Sequence, residues 1–163
     1  RIAFMTLSMM EDVVDRGTAG SVRRAGFWLL AAGKTGTTKV AKDGWFVGMT
    51  SELVAGVWLG FDQPKMILPN ASGGGLAAPI WANMMKTVYA KRPQPAGWSA
   101  PETLSSTMID SNTGGIATNN CPPEDVRIEY FVPGTEPQDF CPLHASGAQK
   151  ALRKLVEGIR KIF

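Results

Sequence analysis

The chain has 163 residues, 44% of them hydrophobic, with 17 Lys and Arg against 14 Asp and Glu. That length accommodates one domain and a small appendage rather than two full domains, and the apolar content excludes a disordered segment. The net charge of +3 is local: five bases and one acid lie in Leu143–Phe163, leaving 12 bases against 13 acids in residues 1–142, so no basic face of the kind that binds nucleic acid is present there.

Apolar residues at Ile2, Met5, Met9, Met10, Val13 and Val14 recur near helical spacing and predict a helix over 2–15, stopped by Gly17. Arg16–Gly26, with glycines at 17, 20 and 26, reads as a loop, and Phe27–Thr38 as a strand. The apolar run Phe27–Gly33 falls far short of the ~18–20 residues that cross a bilayer. Gly44–Met49 and Leu53–Gly60 are rich in aromatic and β-branched residues and read as two strands of a hairpin around Thr50-Ser51-Glu52. After a loop ending in Ser72-Gly73-Gly74-Gly75, a helix is predicted over Ala78–Tyr89. Pro79 sits in its first turn, and Ile80, Trp81, Met84, Met85 and Val88 form its apolar face. Trp45, Trp58 and Trp81 fit a core or a sheet surface. The order helix, three adjacent strands, helix predicts an α/β fold of the α+β type, an antiparallel sheet flanked by helices.

Prolines at 93, 95 and 101 mark residues 93–106 as a linker after a unit covering 1–92. Residues 107–142 read as a small β appendage whose clearest strand is Ile128–Val132. Residues 143–163 read as a basic amphipathic helix capped by Ser146, with Leu152, Leu155, Val156, Ile159, Ile162 and Phe163 along one side. Such a helix packs on the appendage, lies solvated, or contacts an anionic membrane surface.

Cys121, Cys141 and His144 offer three metal donors, and a structural zinc site needs four, so no metal is expected. The two thiols either stay free or form a disulfide in an oxidising compartment, worth ~3 kcal/mol on the chain-entropy model. Spacing leaves both readings open. No cofactor is expected.

The string with chemical content is Ala32-Gly33-Lys34-Thr35-Gly36-Thr37-Thr38. Its Gly-Lys-Thr invites a phosphate-binding reading, but a P-loop needs another glycine five positions earlier, where Trp28 stands. Nucleotide binding is therefore a remote alternative. Read as Lys34-Thr35-Gly36 on an edge strand, the triplet is of the type that lines the site of penicillin-recognising serine acyl-transferases, opposite a Ser-x-x-Lys nucleophile. A lysine and threonines on an edge also serve as plain edge protection.

The context favours the acyl-transferase reading. Met10–Gly20, then Lys34–Thr38, Lys42-Asp43-Gly44-Trp45-Phe46-Val47-Gly48, Gly56-Val57-Trp58-Leu59-Gly60, Ala71–Gly75 and Ala77–Trp81 together closely resemble the C-terminal part of the transpeptidase domain of class A (bifunctional) penicillin-binding proteins, across about residues 2–92. Cys121-Pro122-Pro123, Glu129-Tyr130-Phe131, Pro133–Pro137 and Cys141-Pro142 resemble the C-terminal extension of some of these enzymes.

The resemblance implies a penicillin-binding, serine β-lactamase-like fold. It also implies a reaction in which a serine attacks the penultimate D-alanine carbonyl of a peptidoglycan stem peptide and passes the acyl group to an amine of a second stem. Lys34 and Thr37 would be catalytic. Lys34 sets a positive potential for the substrate carboxylate and assists proton transfer, and the Thr37 N–H is an oxyanion donor. Thr35, Gly36, Thr37 and Thr38 would bind substrate: the Thr35 and Thr37 hydroxyls hold the carboxylate, and Gly36 leaves room for the acyl group.

Implied partners are stem peptides, β-lactams and the rest of a parent polypeptide that also carries a glycosyltransferase, on the periplasmic or extracytoplasmic face of the inner membrane. Nucleic acid is not among them. No Ser-x-x-Lys and no Ser-x-Asn occurs in the 163 residues, so the nucleophile is expected outside this chain and the chain alone is expected to be inactive. It also opens on Arg1 rather than Met, which suggests a piece of a longer protein. The alternative from another class is a non-catalytic module that binds cell-wall peptide or a partner.

Overall fold

Helical spacing of apolar residues folds Ile2–Asp15 into α1, which buries Val14. The computed structural model describes residues 1–149 and 151. They divide into two compact units, Ile2–Ser99 and the residues from Ala100 on, the latter joined by Arg1. The division falls inside the segment expected as a linker.

In the first unit, α1 is followed by the short α2 (Ser21–Arg24), strands β1 (Ala32–Thr37), β2 (Gly44–Met49) and β3 (Val54–Leu59), and helix α3 (Gly73–Tyr89). The strands form one antiparallel sheet in the order β1-β2-β3. The register pairs Thr35 with Phe46, Gly36 with Trp45, and Trp45 with Trp58. Period-two alternation sends Phe46 to the buried face and leaves Trp45, Val47 and Trp58 partly exposed on the opposite face. Phe46, Trp81, Phe27, Val14, Val22 and Met85 form the core. Trp81 meets Phe27 and Phe46 edge-on, each with centroids 5.4 Å apart, the arrangement aromatic quadrupoles favour.

The largest differences from the sequence reading concern α2, β1 and α3. Arg16–Gly26 contains α2, and β1 begins only at Ala32. Arg23 accounts for the latter, because its Nη1 donates to the carbonyls of Phe27 and Leu29, both at 2.8 Å, and ties that segment to α2 instead of a neighbouring strand. Helix α3 starts at Gly73, five residues before the predicted start, and Pro79 lies inside it rather than in its first turn. Ser72 caps it by accepting from the Gly75 N–H at 3.0 Å. Its buried face is Ala77, Ala78, Trp81, Ala82, Met85 and Tyr89, whereas Ile80 and Met84 are exposed. Small alanines let the helix lie close on the sheet, so side-chain size outweighs hydrophobicity along this face.

In the second unit, β4 (Ser105–Asp110) pairs antiparallel with β5 (Val126–Phe131). Ile116 bridges Ile109 on one side and Phe140 on the other. Both cysteines are buried free thiols. Ser146 accepts from the Gln149 N–H while the Gln149 side chain accepts from the Ser146 N–H, a reciprocal capping box. The helix expected beyond this point, with its membrane-surface role, lies outside the described residues. Among the described residues no helix is long and apolar enough to cross a membrane.

Candidate functional site

Among the described residues β1 is paired on one side only, with β2. The Thr38 N–H donates to the Asp43 carbonyl at 3.2 Å, towards β2. Because N–H and C=O directions alternate along an antiparallel strand, the N–H and C=O groups of Thr35 and Thr37 then face the unpaired edge. The Lys34 side chain agrees with this: its Nζ donates to the Thr35 carbonyl at 2.9 Å. The ammonium thus stands on the open edge beside two outward-facing amides.

The Thr35 and Thr37 hydroxyls lie on the helix-facing side. Thr35 Oγ1 pairs with Thr18 Oγ1 at 2.9 Å, and Thr37 Oγ1 accepts from the Gly73 N–H at 3.0 Å. Gly36 lies on the opposite face, where an added Cβ would come 3.2 Å from the Trp45 Cβ. Thr38 is turned into the β1–β2 connection. Its hydroxyl accepts from the Asp43 N–H at 2.8 Å and donates to that residue's carboxylate at 3.2 Å. Of the residues expected to act, Lys34, Thr35 and Thr37 converge on one edge, and Thr38 anchors the turn beyond it.

Residues that sequence reasoning did not assign to the site hold the edge in place. At the N-terminus of α3, a Cβ on Gly73 would sit 2.1 Å from the Trp45 carbonyl oxygen and 2.4 Å from that of Gly36. A Cβ on Gly74 would sit 2.0 Å from the Thr18 carbonyl oxygen, and Ser21 Oγ donates to the Gly74 carbonyl. Only glycine permits this approach. The available signals were Gly17-Thr18 before the strand and the glycine triplet before the helix. An edge bearing free amides and a fixed ammonium is suited to an extended peptide that ends in, or carries, a carboxylate.

Both units of the chain resemble known proteins. Residues 1–86 match the model for the penicillin binding protein transpeptidase domain, and residues 100–146 match that for the penicillin-binding protein 1A C-terminal domain. Penicillin-binding protein 1A of Pseudomonas aeruginosa is 39% identical over 125 residues, which are 75% of this chain and 15% of that protein. That of Aquifex aeolicus is 38% identical over 136 residues, 83% of this chain and 18% of that protein. The crystal structure of penicillin-binding protein 1A from Haemophilus influenzae superposes with a TM-score of 0.69 and 28% identity, covering 86% of this chain and 21% of that one. The chain thus spans 15–18% of the length of these two curated relatives. With the transpeptidase match over the unit that bears the Lys34 edge and the 1A-type match over the unit that follows, the chain belongs to the penicillin-binding protein transpeptidase family, in its class A, 1A-type branch.

Proposed function

We propose that this chain supplies the Lys34–Thr37 wall of the active site of a peptidoglycan D,D-transpeptidase acting on the extracytoplasmic side of the inner membrane, with the serine nucleophile supplied by the rest of the parent protein. The observation that supports this most is the unpaired β1 edge, where the Lys34 ammonium stands beside the Thr35 and Thr37 amides. A stem peptide or a β-lactam lies extended along that edge. Its carboxylate meets the Lys34 charge and a threonine hydroxyl, and its carbonyl oxygen meets the Thr37 N–H. As the serine attacks, that N–H stabilises the developing oxyanion. Loss of one such donor costs ~10²–10³ in rate in comparable sites. The 163 residues contain no Ser-x-x-Lys, so alone they present substrate-binding groups without the group that is acylated.

The test is labelling by a fluorescent penicillin. The full-length parent should take a covalent, heat-stable label, and Lys34→Ala should lower its acylation rate ~10²-fold or more. The 163-residue chain should take none. A stoichiometric adduct on the chain alone, or an unchanged acylation rate in Lys34→Ala, would overturn the proposal.

A further inference from the structure

The second unit has an unusual interior. Among its described residues four are buried, Ile109, Asp110, Cys121 and Cys141, and three of these carry metal-donor groups. The hydrophobic core cluster lies wholly in the first unit. A unit of this size without an apolar core needs a staple, either covalent or metallic.

Four donor atoms meet at that interior. One ligand atom from each of Asp110, Cys121, Cys141 and His144 lies within 4.8 Å of all the others. His144 Nδ1 is 3.4 Å from Cys141 Sγ and 3.4 Å from Asp110 Oδ2. Zinc bonds of ~2.3 Å to sulfur and ~2.0–2.2 Å to nitrogen and oxygen imply tetrahedral ligand–ligand edges of ~3.3–3.8 Å. The two measured edges fall in that range. Spacing in the sequence supplied three donors, and the fold supplies the fourth by ending β4 at Asp110. The bridges through Ile116, together with the Cys141 N–H donating to the Ile116 carbonyl at 2.8 Å, bring Cys141 and His144 to the same place.

The Asp110 carboxylate is divided between two tasks. Its Oδ1 accepts from the Thr113 N–H and hydroxyl, both at 2.9 Å, and from the Asn112 N–H at 3.1 Å. Its Oδ2 is fully buried, has no hydrogen bond of normal geometry, and faces the imidazole. A buried carboxylate oxygen in that state is costly unless a cation meets it. The surrounding groups resemble the outer shell of a metal centre. Cys121 Sγ accepts from the Thr118 N–H at 3.3 Å, and the His144 carbonyl is held by the Thr118 hydroxyl at 2.9 Å and the Asn120 amide at 3.3 Å. A disulfide between the cysteines would need a two-electron oxidant and would bring no cation to Oδ2.

We propose that Asp110, Cys121, Cys141 and His144 form a closed, four-coordinate zinc site that serves as the core of the C-terminal unit. Two sulfurs, one imidazole nitrogen and one carboxylate oxygen suit a borderline-soft cation rather than calcium or magnesium. Binding releases the thiol protons to solvent as the sulfurs become thiolates, and the imidazole binds in its neutral form. With four protein ligands the site is structural, and zinc joins the end of β4 to the two segments that carry Cys121 and Cys141–His144.

The experiment is a metal titration of the reduced, metal-free 163-residue chain, with thiols counted beforehand. Cobalt(II) should bind once per chain with thiolate-to-cobalt charge-transfer absorption and the d–d bands of a tetrahedral site, and zinc should displace it. Zinc should also slow proteolysis within residues 100–149. Cys141→Ser should at least halve the charge-transfer absorption and weaken cobalt binding. Should that variant fail to fold, Asp110→Asn provides a second test: it retains the acceptor for the Thr113 turn and should lower zinc affinity ~10-fold or more. The proposal is overturned if the reduced chain takes up no metal, if Cys141→Ser binds it unchanged, or if the chain forms an internal disulfide in the presence of zinc.

Discussion

Replacing Gly73 with Ala tests whether the N-terminus of α3 is seated on the backbone of the site strand. The new Cβ would fall 2.1 Å from the Trp45 carbonyl oxygen and 2.4 Å from that of Gly36. Both atoms belong to paired strand backbone and cannot turn aside as a side chain would, so the helix end must lift. Overpacking of this kind costs ~1–3 kcal/mol, and the upper end applies where backbone is the obstacle. Lifting the helix also breaks the 3.0 Å bond from the Gly73 N–H to the Thr37 hydroxyl, worth ~1 kcal/mol. Against this, Ala gains ~0.5–1 kcal/mol of helix propensity over Gly. The net expectation is a loss of ~3 kcal/mol. Gly75→Ala is the internal control, because its Cβ would meet only Ser72 Oγ at 3.3 Å. That variant should be neutral or gain up to ~1 kcal/mol. Urea unfolding followed by tryptophan fluorescence, with Trp81 in the core as reporter, measures both. In the parent enzyme proposed above, displacing Thr37 by ~1 Å should cost ~10²-fold in penicillin acylation. Coincident unfolding midpoints for Gly73→Ala and the unaltered chain would refute the reasoning.

Two further substitutions probe the layers beneath the site. Arg23→Lys should destabilise the first unit by ~2 kcal/mol, because the lysine ammonium ends one bond short of the Nη1 position from which Arg23 serves both the Phe27 and Leu29 carbonyls. The half-exposed pair with Asp15 contributes little, so Asp15→Asn should cost clearly less. An equal loss in both variants would show that the ion pair carries the effect. Glu11 has its carboxyl raised above the usual 4.5 by burial and then by Asp15 and Asp12, with Arg23 opposing them. Its ionisation therefore costs stability above the folded-state pKa, and that cost shrinks as pH falls through the raised value and is gone below 4.5, where both states are protonated. Glu11→Gln should consequently stabilise at neutral pH and lose its advantage in acid. Stability measured across pH decides this, and a gain that persists at low pH contradicts it.

Locally encoded elements were legible in the sequence. Residues 2–15 and 44–49 have the predicted bounds, and β3 differs by one residue at each end, because helical spacing and β-branched or aromatic runs act over a single element. The Lys34-Thr35-Gly36 strand was legible as a motif. The direction in which each of its groups faces depended on the register with β2, which no local pattern specifies. The start of α3 was hidden for a different reason. Three glycines read as a helix breaker by propensity, and the value of the first two, Gly73 and Gly74, comes from close approach to residues 18, 36 and 45. Asp110 was missed in the same way. Nothing in its neighbourhood along the chain marks it as a partner for Cys121, Cys141 and His144, which only the pairing through Ile116 brings beside it.

The unpaired edge of β1 also bears on how the chain behaves in solution. A strand that offers free amides and carbonyls to a substrate offers them equally to β1 of another copy, and such pairing leads to aggregation. Lys34 stands against this. Its ammonium occupies the Thr35 carbonyl, an acceptor that an incoming strand would need, and a second β1 would bring a like charge to the same place. The residue assigned to the substrate carboxylate is thereby also the guard that keeps the edge solitary. Turbidity in a chain lacking that lysine would report on association between copies before any kinetic measurement reported on chemistry.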